Sequence, residues 1–224
     1  KVVAIFKSGS EFGPRSLGAR SILANSQNQD MREILNKKIK LREPFRPFAP
    51  ICLASYVKDY FNIKNESNFM LFICEAKKDK SYLIPSVVHE DGTARVQAVT
   101  SDNKFLYSIL EEYNSISKIP ILINTSFNIG GEAIVNTIED AIESFKKMDI
   151  DYLVVDNCIF SKKNEFKKDN ISTEDFIKKR KNRFLEINNF PIFKISYYNS
   201  SFSTNFFEFF KKKIYEKFFN KKYI

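Results

Sequence analysis

Apolar and polar positions along the chain follow two rhythms. Mainly apolar runs at VVAIF (2–6), APICLA (49–54), FMLFICEA (69–76), PILINTSF (120–127) and YLVVDNCIF (152–160) are predicted as strands. Between them, residues 30–39 place Met31, Ile34, Leu35 and Ile39 on one helical face, and residues 103–117 do the same with Phe105, Leu106, Ile109, Leu110 and Tyr113. In VVHEDGTARVQAV an Asp91-Gly92 turn between two alternating segments predicts a hairpin. A third helix is predicted from Thr137, where Thr-x-x-Asp through Asp140 supplies a capping-box pair. Strands interleaved with helices make this an α/β protein, mixed (α+β) in its order of elements.

The rhythm weakens past residue 160. SKKNEFKKDN resembles a linker, STEDFIKKRKNRFLEI a short helix, and FFEFFKKKIYEKFFNKKYI an amphipathic basic helix with Phe207, Phe210, Ile214 and Phe218 in one stripe. Such a helix suits docking on the core or a membrane surface, and an ill-ordered tail has the same composition. Two units follow, a core at 1–160 and a basic Lys/Phe/Asn-rich tail at 161–224.

Charge sharpens that division. The net charge of +9 comes from 36 basic and 27 acidic residues, and residues 1–160 hold 20 of each. The excess lies in the tail, where drift toward Lys, Phe, Asn and Ile explains it without a selected basic surface. Nucleic acid is therefore not the expected partner of the core. Three dispersed cysteines without CxxC spacing suggest neither zinc nor disulfides, and fit a reducing cytoplasm. No apolar run of about 18 residues suggests a membrane span. The chain opens on strand-like KVVAIF without an initiating Met, as a piece of a longer or split gene would.

Scarce residues point to the candidate chemistry. With 28 lysines and eight arginines, the chain writes Lys wherever any surface cation serves, so an Arg marks a position needing a planar, bidentate fork. Six arginines lie in the core, and Arg15, Arg20, Arg42, Arg46 and Arg95 sit in turn-rich or Pro-rich stretches; Arg32 falls on an exposed helix face. All six glycines adjoin the same stretches: Gly9, Gly13, Gly18, Gly92, Gly130 and Gly131. Three of seven prolines fall within EPFRPFAP (43–50), where fixed φ angles stiffen the backbone around Arg46. Four loops that carry the rarest residues imply a convergent anion site. It is not a P-loop, because GxxxxGK[ST] is absent, and no GxGxxG occurs either.

Four segments then carry a resemblance: EFGPRSLGARSILA, MREILNKKIKLREPFRPFAP, HEDGTARVQ and NTSFNIGGEAIV. In this order and spacing they are similar to the C-terminal domain of the O-carbamoyltransferases of nodulation and antibiotic biosynthesis (the NodU/CmcH type), over about residues 1–160. The resemblance implies a YrdC-like twisted mixed sheet with flanking helices, and a nucleotide site marked by K-x-R, here Lys40 and Arg42, with a later S-x-N, here Ser126 and Asn128. It implies carbamoyl adenylate formation from carbamoyl phosphate and ATP, with Mg²⁺ accompanying the ATP, before transfer to an acceptor hydroxyl.

By the same resemblance Arg15, Lys40, Arg46 and Arg95 contact phosphate and carbamoyl groups, with Lys40, Arg46 and Arg95 stabilising the charge of the reaction. Arg42 completes the K-x-R, while Ser126 and Asn128 hold phosphate or ribose oxygens. The transfer step belongs to a metal-bearing N-terminal domain, in the same gene or a separate chain. No metal ligands are assigned within these 224 residues. His89, the sole histidine, is expected to make a structural hydrogen bond beside the Asp91-Gly92 turn; Asp91 and Glu132 either touch Mg²⁺ or cap turns. The alternatives are a non-catalytic nucleotide- or anion-binding module and, ranked lowest, an RNA-associated YrdC-like protein.

Overall fold

The computed structural model describes residues 1–162, except Ser8, Glu66 and Asn157, together with the backbone of Phe193–Tyr197. The predicted tail helices lie outside the described residues. Strand β1 (Val2–Phe6) is buried at every position, and its side chains alternate between two apolar clusters. Val2, Ala4 and Phe6 enter the first cluster, Val3 and Ile5 the second. An apolar run without polar interruption is what a strand covered on both faces requires.

The first face is covered by α1, a helical turn at Met31–Ile34 running on as π-helix over Leu35–Lys40, and by α4 (Ile138–Lys147). The second is covered by α3 (Lys104–Ser117), through Phe105, Leu106, Ile109, Leu110 and Tyr113. A shorter helix, α2 (Val57–Tyr60), follows β3 (Ala49–Leu53). The main sheet runs β11-β10-β9-β1-β2-β8-β3-β7. Its remaining strands are β2 (Arg20–Asn25), β7 (Gln97–Val99), β8 (Ile121–Ser126), β9 (Tyr152–Val155), β10 (Cys158–Lys162) and β11 (Phe193–Tyr197). Pairs β1·β9 and β3·β7 are parallel and the others antiparallel, so the sheet is mixed. A separate antiparallel sheet joins β4 (Phe61–Asn62), β5 (Cys74–Ala76) and β6 (Thr93–Ala94). Among the described residues no helix is long and apolar enough to cross a membrane.

Four elements differ from the pattern. FMLFICEA yields only β5, because Met70 takes a left-handed conformation (φ 55°) that buries its own side chain and leaves Leu71 and Ile73 exposed. The expected hairpin around Asp91-Gly92 is a turn alone: the His89 amide donates to Thr93 O, but β6 pairs with β5 and β7 joins the other sheet. YLVVDNCIF is two strands rather than one, β9 and β10, reversing after Asp156 at φ 46°. FKISY within the tail forms β11 against β10, a strand that its polar neighbours concealed.

Register decides where the site lies. Phe6 pairs with Arg20, Ser21 with Ser126, Asn124 with Ala49, and Ile51 with Gln97. The end of β1, the starts of β2, β3 and β7 and the end of β8 therefore share one edge of the sheet. Loops far apart in sequence open at that edge.

The Thr137 cap is formed as the sequence predicts: Asp140 N donates to Thr137 Oγ1 (3.2 Å) and Thr137 N to Asp140 Oδ2 (2.8 Å). Thr137→Ala is expected to lower the free energy of urea unfolding by about 1 kcal/mol, with Thr137→Ser close to wild type. Equal midpoints for all three proteins would show that the cap contributes nothing.

Candidate anion-binding site

The seven residues assigned to the site by resemblance lie in segments that adjoin that single edge. Arg15 stands in the loop between β1 and β2; Lys40, Arg42 and Arg46 precede β3; Arg95 precedes β7; Ser126 ends β8 and Asn128 follows it. Within the edge they fall into two groups.

The first group is built on Lys40, which is 2% exposed although it is a lysine. Its ammonium donates to Ser126 O, Ser126 Oγ (3.2 Å), Asn128 O (3.0 Å) and Asn128 Oδ1 (2.8 Å), so K-x-R and S-x-N meet through this side chain. Four acceptors for three protons leave the lysine fully engaged. All four are neutral oxygens, and burial, reinforced by nearby Arg42, lowers the ammonium pKa to about 7. Ser126 Oγ donates to Asn128 Oδ1 (2.5 Å) and Asn128 Nδ2 to Glu132 O (2.7 Å), closing the network. Lys40 thus holds the turn after β8 and supplies charge from beneath it.

Gly130 is required by the same contact. Its amide donates to Lys40 O at 2.9 Å, and a Cβ there would come within 2.2 Å of that oxygen.

Arg42 lies against this turn with its guanidinium 4.8 Å above the Phe48 ring, half-buried. Burial and the proximity of Arg46 both push its pKa down. Arg46 is more open: its side chain is 53% exposed, with Glu43 Oε2 3.7 Å away. The prolines do not hold this loop alone. Asn36, wholly buried in the π-helical turn, donates through Nδ2 to Pro44 O (3.0 Å) and Arg46 O (2.9 Å) and accepts from Arg42 Nε (2.7 Å). Leu41, left-handed at φ 48°, lets the chain leave the helix so that these contacts form.

The second group is Arg15 with Arg95, which line a cavity of about 420 Å³. Burial and then Arg15 lower the Arg95 pKa, so the two guanidiniums sense each other. The loop that carries Arg15 is fixed by residues that carried no obvious signal in the sequence. Glu11 Oε1 accepts from the amides of Leu17 (2.8 Å) and Ala19 (2.5 Å), and Ser16 O accepts from Asn124 Nδ2 (3.1 Å). Buried Arg20, not assigned a site role, donates to Lys7 O and Gly9 O and stacks 3.7 Å from Phe6. His89 does what was expected of it: Nδ1 lies 3.0 Å from Thr93 Oγ1, beside the turn capped by Asp91 Oδ1.

Comparison with known proteins is consistent with the motif pattern. Residues 1–162 match the family model described as carbamoyltransferase C-terminus. An uncharacterized protein of Methanocaldococcus jannaschii is 43% identical over 164 residues, covering 72% of this chain and 31% of that protein. Nodulation protein NolNO of Sinorhizobium fredii is 37% identical, covering 72% of this chain and 24% of that protein. Nodulation protein U of the same organism is 41% identical over 62% of this chain and 25% of its own length. The chain thus spans less than a third of these curated relatives. A solved structure, full-length HypF in the phosphate- and nucleotide-bound form, is 20% identical over 70% of this chain and 21% of that chain, with a TM-score of 0.46.

The buried ammonium has a measurable consequence. Between pH 7 and the ordinary lysine value, the unfolded chain binds a proton at Lys40 that the folded chain has released, so stability rises with pH across this window. The urea midpoint of the wild type is expected to gain more between pH 7 and 10 than that of Lys40→Met. Parallel profiles for the two proteins would mean that Lys40 titrates normally.

Proposed function

The chain belongs to the carbamoyltransferase C-terminus family, and on that basis we propose that it is the carbamoyl-activating part of an O-carbamoyltransferase. It forms carbamoyl adenylate from carbamoyl phosphate and ATP. The observation that carries this reading is the meeting of Lys40 with Ser126 and Asn128 at the edge that also presents Arg15, Arg42, Arg46 and Arg95.

The chemistry needs cations more than it needs a base. Carbamate, left when carbamoyl phosphate gives up its phosphoryl group to water, is already an anionic nucleophile. Its oxygen bonds to the α-phosphorus of ATP as the bond from that phosphorus to pyrophosphate breaks. Each pair of like charges brought to 4 Å costs about 4 kcal/mol at an effective dielectric of ~20. Arg46 and Arg95, set on different loops, offset that repulsion from two directions, while Arg15 and Arg42 orient phosphate oxygens by paired donors. Lys40, protonated below its pKa of about 7, adds positive charge beneath the site, and Ser126 and Asn128 fix the backbone that faces the ligand. Mg²⁺ enters on the phosphates of ATP, as it does in most nucleotide sites.

Transfer to an acceptor hydroxyl requires the metal-bearing N-terminal region of the family, consistent with a chain that spans under a third of its relatives. Three free, buried cysteines suit a reducing cytoplasm as the compartment. RNA binding has less support, because the core is charge-balanced.

Labelled pyrophosphate is expected to exchange into ATP only when carbamoyl phosphate is present. Nucleotide binding without exchange would reduce the chain to a non-catalytic module, and folded protein that does neither would remove the reading. Arg46→Lys is expected to weaken ATP binding tenfold or more, since a point charge cannot reproduce a bidentate fork. Unchanged affinity would take Arg46 out of the site.

A further inference from the structure

The main sheet has two flanks, one at β7 and one at β10, and the chain covers each in a different way. At β7, a strand of only three residues, the Ala98 amide donates to Ser67 O (2.9 Å) and Ser67 Oγ donates to Val96 O (2.7 Å), so a neighbouring loop lies along it. At β10 the cover is another strand, β11. A flank left bare offers a row of unpaired amides and carbonyls to any strand that meets it.

β10 is built like an interior strand. Cys158 and Phe160 enter the first apolar cluster and Ile159 the second, so both of its faces are buried. Its pairing with β9 runs without a bulge from Cys158–Val155 to Ser161–Tyr152, and it contains neither proline nor glycine. The one charge in the strand is engaged elsewhere: the Lys162 ammonium turns to the end of α4, donating to Met148 O and Lys146 O (3.4 Å) and lying 5.2 Å from the Phe145 ring. β10 thus has no built-in guard against strand addition.

Its cover comes from outside the family match, which ends at Lys162, the last residue of β10. β11 pairs antiparallel with β10 in unbroken register, from Cys158–Tyr197 to Lys162–Phe193. Residues 163–192 lie between the two strands, so no tight hairpin turn imposes the pairing and the ladder itself selects it. Unlike β10, β11 has a lysine at an interior position, Lys194, the residue type that commonly blunts an exposed strand.

The bared flank fits a second copy of this chain. β10 takes antiparallel neighbours on both sides, and an antiparallel pair of two β10 strands is self-complementary, which closes the association at two copies. Residues 1–160 hold 20 basic and 20 acidic residues, so two cores approach without net repulsion.

We propose that the outer flank of β10 is a self-association surface for a second copy of the chain, and that Phe193–Tyr197 closes it from within the same chain. Displacing β11 opens a β10–β10 interface through which the sheet continues from one copy into the other. This interface does not depend on the activity proposed above.

Sedimentation equilibrium of the whole chain tests the assignment. Hydrogen-bonded positions alternate along an antiparallel ladder, so prolines at both Ile195 and Ser196 must remove a donor to β10. The double variant Ile195→Pro/Ser196→Pro is expected to self-associate at least tenfold more tightly than wild type, with a lower urea midpoint. An excess of a peptide of residues 191–199, or Ser161→Lys added to the double variant, is expected to bring association back to within twofold of wild type. Where two prolines prevent folding, Ile195→Gly weakens the strand without removing a donor and is expected to tighten association at least threefold. Unchanged association in a variant whose midpoint has fallen means that β11 pairs but the bared flank binds no second copy, which overturns the proposal. Unchanged association and midpoint together show that β11 covers nothing, and overturn it too. Association that rises but ignores both the peptide and Ser161→Lys runs through another surface and does the same.

Discussion

An ammonium taken out of water is the constraint on which this edge of the protein depends. Lys40 keeps 2% of its surface exposed and among the described residues faces no carboxylate, so its charge must be compensated by oriented neutral oxygens. Those oxygens belong to the end of β8 and the turn after it, which can deliver them only if the turn folds back over the end of the helix that carries Lys40. Gly130, pressed on the Lys40 carbonyl, allows that approach. The lysine therefore shapes the turn as much as the turn stabilises the lysine. A satisfied polar network of this kind specifies one arrangement of its backbone, since losing any member leaves a buried group unpaired.

The same economy runs through the rest of the edge. Asn36 ties the arginine loop by its carbonyls, Glu11 gathers the amides of the β1–β2 loop, and Arg20 closes that loop from inside. Polar side chains are spent on backbone, and among the described residues Arg15 and Arg95 have no carboxylate within ion-pair reach, whereas Arg46 keeps Glu43 3.7 Å away. A site that must neutralise several phosphates gains from cations that are held in place and unpaired, because no ion pair has to be broken when the ligand arrives.

Strands covered on both faces and helices with a single apolar stripe were legible in the chain, because burial dictates residue type directly. The K-x-R and S-x-N pairing was legible through resemblance, although the structure gives Lys40 a supporting position under the turn rather than an open one. What escaped was local backbone geometry. The left-handed turn at Met70 looks like one more apolar residue in a strand, and the reversal after Asp156 interrupts an apolar run by only two polar residues. Asn36 was invisible for a related reason: an asparagine beside lysines on a helix resembles a surface residue until the π-helical turn carries it inward.

The titration of the Lys40 ammonium itself, followed by NMR of its ε-methylene group with and without AMP and phosphate, bears most directly on this account. A midpoint near 7 that moves upward when the anions bind is the expected result, since a neighbouring negative charge favours the protonated amine. A midpoint near that of a surface lysine, unmoved by ligand, would contradict it.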